Sequence, residues 1–168
     1  MVEERVNAPY FADERTMLEG WLEWHRGTLF MKCEGLTADQ LRARTVEPSS
    51  LSLLGLVRHM AEVERSWFGR CIAGEDLPQI FCTEEDRDGD FDNVDEADPD
   101  LDMAIWLEEC LKSRSVLGNV DSLEVTATTR RGTLISVRWV LVHMIEEYAR
   151  HNGHADLLRE RIDGVTGY

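Results

Sequence analysis

The sequence predicts an all-α fold, one bundle of four helices. Four segments place apolar residues at helical spacing, no segment sustains the period-2 alternation of a strand, and Gly, Pro and cap residues punctuate the chain between them. A single domain, residues 1–168, is expected, because 168 residues with 43% apolar content suffice for an ordinary core without disulfide support.

The first helix is expected from about Asp13 to Cys33. "DERTMLE" supplies a capping signal, Thr16 followed three residues later by Glu19, and Met17, Leu18, Trp21, Leu22, Leu29 and Phe30 supply a buried side. The second runs from about Ser50 to Cys71, capped by Ser49 or Ser50 and ended by Gly74 and Pro78. Asp98 caps the third, which carries Pro99 in its first turn and extends to about Leu117, ahead of Gly118 and Asn119. The fourth opens at Ser136 and reaches about Asp163, where Gly164 terminates it. Between the last two, "SLEVTATTRRGTLIS" reads as an extended connection turning at Arg131-Gly132 in preference to a hairpin.

Net charge is −15, which disfavours contact with phosphate backbones and so argues against nucleic-acid binding. From Glu75 to Asp100 twelve acidic residues face one basic residue, Arg87, so this crossover between the second and third helices carries −11 of the total. Its "EEDRDGDFDNVD" places Glu84, Asp86, Asp88, Gly89 and Asp95 at EF-hand-like positions, but the first position is Glu and the last Asp, and a solvated acidic loop is the expectation. "MVEERVNAPYF" is no signal peptide, and no run approaches the ~20 apolar residues of a membrane span. A cytoplasmic protein without membrane contact is expected. Cys33, Cys71, Cys82 and Cys110 form no CxxC pair and read mostly as buried thiols.

Histidines and carboxylates crowd the end of the chain in "EEYARHNGHAD". With about 100° per residue and His143 at zero, Glu147 falls near 40°, His151 near 80° and His154 near 20°. The apolar stripe of Val137, Val140, Met144, Tyr148, Ala155, Leu158 and Ile162 spans about 60° to 140°. His151 therefore lies within the stripe and Glu147 at its margin, while Glu146 points outward. An inward carboxylate four residues before a buried histidine is costly without partners, and a metal ion would satisfy both. His59, in "LVRHMAEVERSWF", is the only histidine of the second helix and sits at the edge of its inward side. Two His and one carboxylate describe a catalytic zinc site; nickel, iron(II) or manganese take the same donors. The competing reading is a core His151 that hydrogen-bonds Glu147 or a backbone carbonyl. His143 and His154 are flanking candidates, Trp67 and Arg150 candidates for the substrate pocket, and Glu64 an alternative ligand or an ion-pair partner of Arg138 or Arg150. His25 reads as a surface histidine, and the five Trp as core or cleft walls. Glu-x-x-His pairs of di-iron bundles, H-E-x-x-H and G-x-S-x-G are all absent.

"LLGLVRHMAEVERSWF" and "RWVLVHMIEEYARHNGHADLLRERIDG" resemble the actinobacterial branch of the DinB-like superfamily, and the resemblance covers essentially the whole chain. It implies a four-helix bundle in up-down-down-up order with a long crossover between helices two and three. A metal triad is implied too, one His from helix two and two ligands four apart on helix four. Most relatives have His-x-x-x-His there. This chain has Glu147 and His151, similar to the N-terminal domain of mycothiol-dependent maleylpyruvate isomerases, whose further C-terminal domain this chain is expected to lack. The implied chemistry is activation of a low-molecular-weight thiol by a divalent metal, held by His59, Glu147 and His151. The leading expectation is a mycothiol-type S-transferase acting on small electrophiles. The alternatives are a metal-dependent hydrolase and a non-catalytic binding or stress-response protein. Relatives are often dimers, so a homodimer is a further expectation.

Overall fold

A computed structural model describes residues 5–167. Residues 1–4, where the N-terminal reading begins, and Tyr168 lie outside the described residues. The order of elements is α1 (Glu14–Cys33), α2 (Ala38–Arg42), α3 (Leu53–Glu64) continued by a π-helical segment (Arg65–Ile72), α4 (Gly89–Asp92), α5 (Pro99–Gly118), β1 (Thr126–Thr128), β2 (Leu134–Ser136) and α6 (Val137–Asp163). The four long helices are those the sequence predicts, within a few residues.

Contacts along the helices fix their directions. Arg58 meets Asp102 and Arg65 meets Glu109, so α3 with its extension runs parallel to α5. Glu14 meets Arg138 and Lys32 meets Asp156, so α1 runs parallel to α6. The α3 and α6 pair is antiparallel, with Trp67 against Trp139 and His59 against His151. The bundle is therefore up-down-down-up, with α1 along α6 and α3 along α5. Parallel neighbours need long connections, which is why α3 and α5 are joined by the acidic crossover. Val137, Val140, Leu141, Met144, Tyr148, Ala155 and Leu158 form the buried stripe of α6, and a large apolar side chain fully buried contributes roughly 1.5–3 kcal/mol.

Several local expectations are corrected. Asp13, not Thr16, caps α1: its carboxylate accepts from the Thr16 backbone N–H at 3.1 Å and from its hydroxyl at 2.6 Å. For α3 the cap is Ser52, whose hydroxyl accepts from Gly55 N at 3.0 Å, while Ser49 and Ser50 lie in the preceding turn. The segment before α6 is a hairpin, with Thr126 opposite Ser136 and Thr128 opposite Leu134. Gly132 at φ +79° closes its turn. The expected terminators hold: Ser136 caps α6, and Gly164 ends it at φ +78°. Among the described residues no helix is long and apolar enough to cross a membrane.

The crossover is pinned, which its composition conceals. One carboxylate oxygen of Glu62 accepts the backbone N–H groups of Ile80, Phe81 and Cys82 at 2.6, 2.7 and 3.1 Å. Arg58 donates to the Gly89 carbonyl at 3.1 Å and stacks over the Phe81 ring. Most of the acidic side chains face solvent, but Gly89, Asp90 and Val94 are buried.

Candidate metal centre

Helix α3 presents His59 and α6 presents Glu147 and His151 toward the same point, and one ligand atom from each lies within 4.8 Å of the others. The two imidazoles meet edge to face, 4.7 Å between centroids. His151 is 9% exposed. Burial pushes its pKa down to about 4, helped by the neighbouring His59 and His154, so near neutral pH the ring is uncharged and keeps a nitrogen lone pair. Its Nε2 approaches Glu147 Oε2 only to 3.4 Å, and its Nδ1 is buried without a hydrogen-bond partner. The Glu147 contact is long for a hydrogen bond, and it leaves Nδ1 unmatched among the described residues. His59 differs, because its Nδ1 lies 2.8 Å from Asp90 Oδ2, which leaves Nε2 as its remaining donor atom.

This set fits a divalent metal by its donor chemistry: two imidazoles plus one carboxylate, supplied by two separate helices with ligand atoms within 4.8 Å of one another, and His151 Nδ1 is buried with no protein group to satisfy it. A second, more exposed group adjoins it, His143 with Glu146 and Glu147. His143 Nε2 is 3.4 Å from Glu147 Oε1, so each oxygen of that carboxylate faces a different histidine. An aromatic wall continues from there. Trp139 stacks on His143 at 4.9 Å, Trp67 meets His143 edge-on at 4.7 Å from the π-helical segment, and Phe91 lies against His59 at 5.0 Å. Trp139 is 45% exposed, so this wall opens to solvent.

The other sequence candidates divide. His154 packs edge-on to His151 at 5.4 Å and so flanks the triad. Arg150 does not join it: its guanidinium bonds Glu146 on the exposed side of α6. Glu64 is no ligand and pairs with neither Arg138 nor Arg150. Fully buried, it takes a bidentate ion pair from Arg26 at 2.8 and 2.6 Å and the Tyr148 hydroxyl at 2.6 Å. Trp106 Nε1 donates to that hydroxyl at 2.9 Å. His25 is not a free surface histidine either, because it is half-buried and its Nδ1 lies 3.3 Å from Asn152 Nδ2. Of the cysteines, Cys33, Cys82 and Cys110 are buried and Cys71 is half-buried, and burial raises the pKa of all four, to about 12 for Cys33 and about 11 for Cys82, so none is poised as a thiolate. The EF-hand-like residues are not gathered around one point, and Asp86 instead accepts from the Asn93 side chain at 2.6 Å. A groove between α1 and α5, lined by Arg26, Trp106 and Leu111, lies on the opposite face of the bundle from the triad.

Asp90 is the residue that sequence reasoning missed. A signal was there: in "GDFDNV" Asp90 and Val94 stand one helical turn apart, the spacing of a short turn docking inward, within a run otherwise read as solvated.

The chain matches, over residues 17–164, the family model described as mycothiol-S-transferase. No curated protein matches it.

Proposed function

Because the chain belongs to the mycothiol-S-transferase family, within the DinB-like superfamily, we propose that it joins mycothiol to small electrophiles at a divalent metal, zinc foremost, held by His59, Glu147 and His151. The observation that carries this reading is the convergence of three donor atoms within 4.8 Å, one of them from a buried, neutral His151.

A divalent ion held by these three residues would supply the Lewis acidity that lowers the pKa of a bound thiol. The chain's own residues set the conditions. Two neutral imidazoles and one carboxylate leave the centre a net positive charge, which favours an anionic sulfur. His143 and His154 flank the triad, and in this reading one of them takes the thiol proton. The sulfur lone pair then forms a C–S bond to the electrophilic carbon, whose leaving group departs with its bonding pair. Trp67 and Trp139 give the mouth apolar faces on which a sugar ring or an aromatic electrophile stacks.

The test is metal analysis of protein purified without chelator or affinity-tag nickel, followed by thiol-consumption assays with mycothiol and an electrophile panel. Conjugation should require metal, thiol and protein together and cease on chelation. Thiol-independent hydrolysis by the metal-loaded protein would transfer the assignment to a hydrolase, and metal binding without turnover to a binding protein.

A further inference from the structure

We infer that Asp90 is a positioning residue for His59, and that the acidic crossover is folded onto α3 in order to deliver it. This inference rests on the metal reading above.

The crossover's charge is nearly all solvated, so a single carboxylate drawn inside needs a cause. Asp90 is 4% exposed, and its Oδ2 meets His59 Nδ1 at 2.8 Å. Its other oxygen accepts from the Phe91 backbone N–H at 3.1 Å, so both oxygens are engaged. An ionised carboxylate only accepts hydrogen bonds, so the proton of a neutral His59 resides on Nδ1 and the lone pair on Nε2. That is the tautomer a metal requires when it binds through Nε2, and a carboxylate behind a ligating imidazole fixes both ring orientation and basicity.

The carboxylate's position does not depend on His59. Glu62 holds the backbone at 80–82 on one side, and Arg58 holds the Gly89 carbonyl on the other. Phe91 packs closely on Gly55, where an added Cβ would lie 2.9 Å from its ring. Residues at 55, 58, 59 and 62 of a single helix thus form one docking face, three of its positions gripping the crossover and the fourth receiving Asp90. Had the crossover been only a tether, Arg58 and Glu62 would have had no reason to bind its backbone in register with Asp90.

Three measurements test this on the full-length protein: metal affinity by chelator competition, His59 tautomer by 15N histidine NMR of the metal-free form, and thermal unfolding to verify the fold. Asp90→Ala should weaken metal 10- to 100-fold, and Asp90→Asn, which keeps the shape, should weaken it less. Glu85→Ala, which removes the same charge from an exposed crossover position, should remain within twofold. Wild type should show protonated Nδ1 on His59, and Asp90→Ala should lose that signature. Affinity unchanged in a folded Asp90→Ala, or Nδ1 unprotonated in wild type, overturns the role of Asp90 while the metal centre stands. A wild type that binds no metal removes both.

Discussion

The bundle contains two polar clusters, and they are built on opposite plans. Around Glu64, Arg26 from α1, Cys110 from α5 and Tyr148 from α6 close on one carboxylate, and Trp106 from α5 donates to the Tyr148 hydroxyl, so that all four long helices share one network. Around Glu147, His59 and His151 bring one ring nitrogen each within 4.8 Å of a carboxylate oxygen, and His151 Nδ1 is buried without a hydrogen-bond partner. Tyr148 and Glu147 are adjacent on α6, so a single step along one helix separates the two. Buried polarity alone does not mark a site. A cluster that satisfies itself fixes helix register, whereas one that is left unsatisfied in a consistent direction is prepared for something added later.

The largest effect expected from breaking this contrast is loss of metal in His151→Ala. That variant should bind no stoichiometric metal while keeping a helical circular-dichroism spectrum, with a metal-free stability cost set by the cavity the buried ring leaves. Full metal occupancy in the purified variant would refute the open cluster. Next comes Glu64→Ala, which strands Arg26 in the core and should cost about 3–5 kcal/mol in urea unfolding. Metal stoichiometry should survive wherever the variant is folded. A cost below about 1 kcal/mol would show that the closed network is not a structural one.

Smallest is the pH response of the metal-free protein. Burial holds the folded His151 at a pKa of about 4, below the usual imidazole value of about 6.5, so on acidification the unfolded chain takes up this proton first. Stability should therefore be undiminished above about pH 6.5 and fall as the pH drops toward 4, by up to about 3 kcal/mol at ~1.4 kcal/mol per pKa unit. Burial also lowers the pKa of His25, in the same direction, so the contribution of His151 is read as the difference between wild type and His151→Gln. Identical slopes for the two proteins between pH 6.5 and 4.5 would remove the buried neutral histidine from the account.

Local periodicity reveals one helix at a time, and this decides what could be read in advance. The four long helices and the inward angles of Glu147 and His151 follow from spacing within single segments, and the structure places those side chains as the wheel does, His151 buried, Glu147 at the margin and Glu146 outside. Partners that cross between elements were hidden. Arg26, four residues before Phe30 on α1, reads as a surface arginine until Glu64 is brought beside it from α3. Asp90 vanished into the composition of its own neighbourhood. The hairpin was underestimated because three-residue strands are too short to display alternation, and its pairing stands on the turn at Gly132 and the packing of β1 against the π-helical segment.

The pinned crossover also shapes the surroundings of the open cluster as an electric field. It carries −11 of the chain's −15 charge and, through Asp90, lies directly against His59. Within the roughly 8 Å over which physiological salt leaves such fields unscreened, a thiol bearing free carboxylates approaches against repulsion. A neutral thiol joined to a sugar does not, and a dication is drawn in. If the cluster around Glu147 takes a metal and a thiol as proposed, the same segment that places Asp90 would also sort approaching molecules by charge before any pocket wall tests their shape.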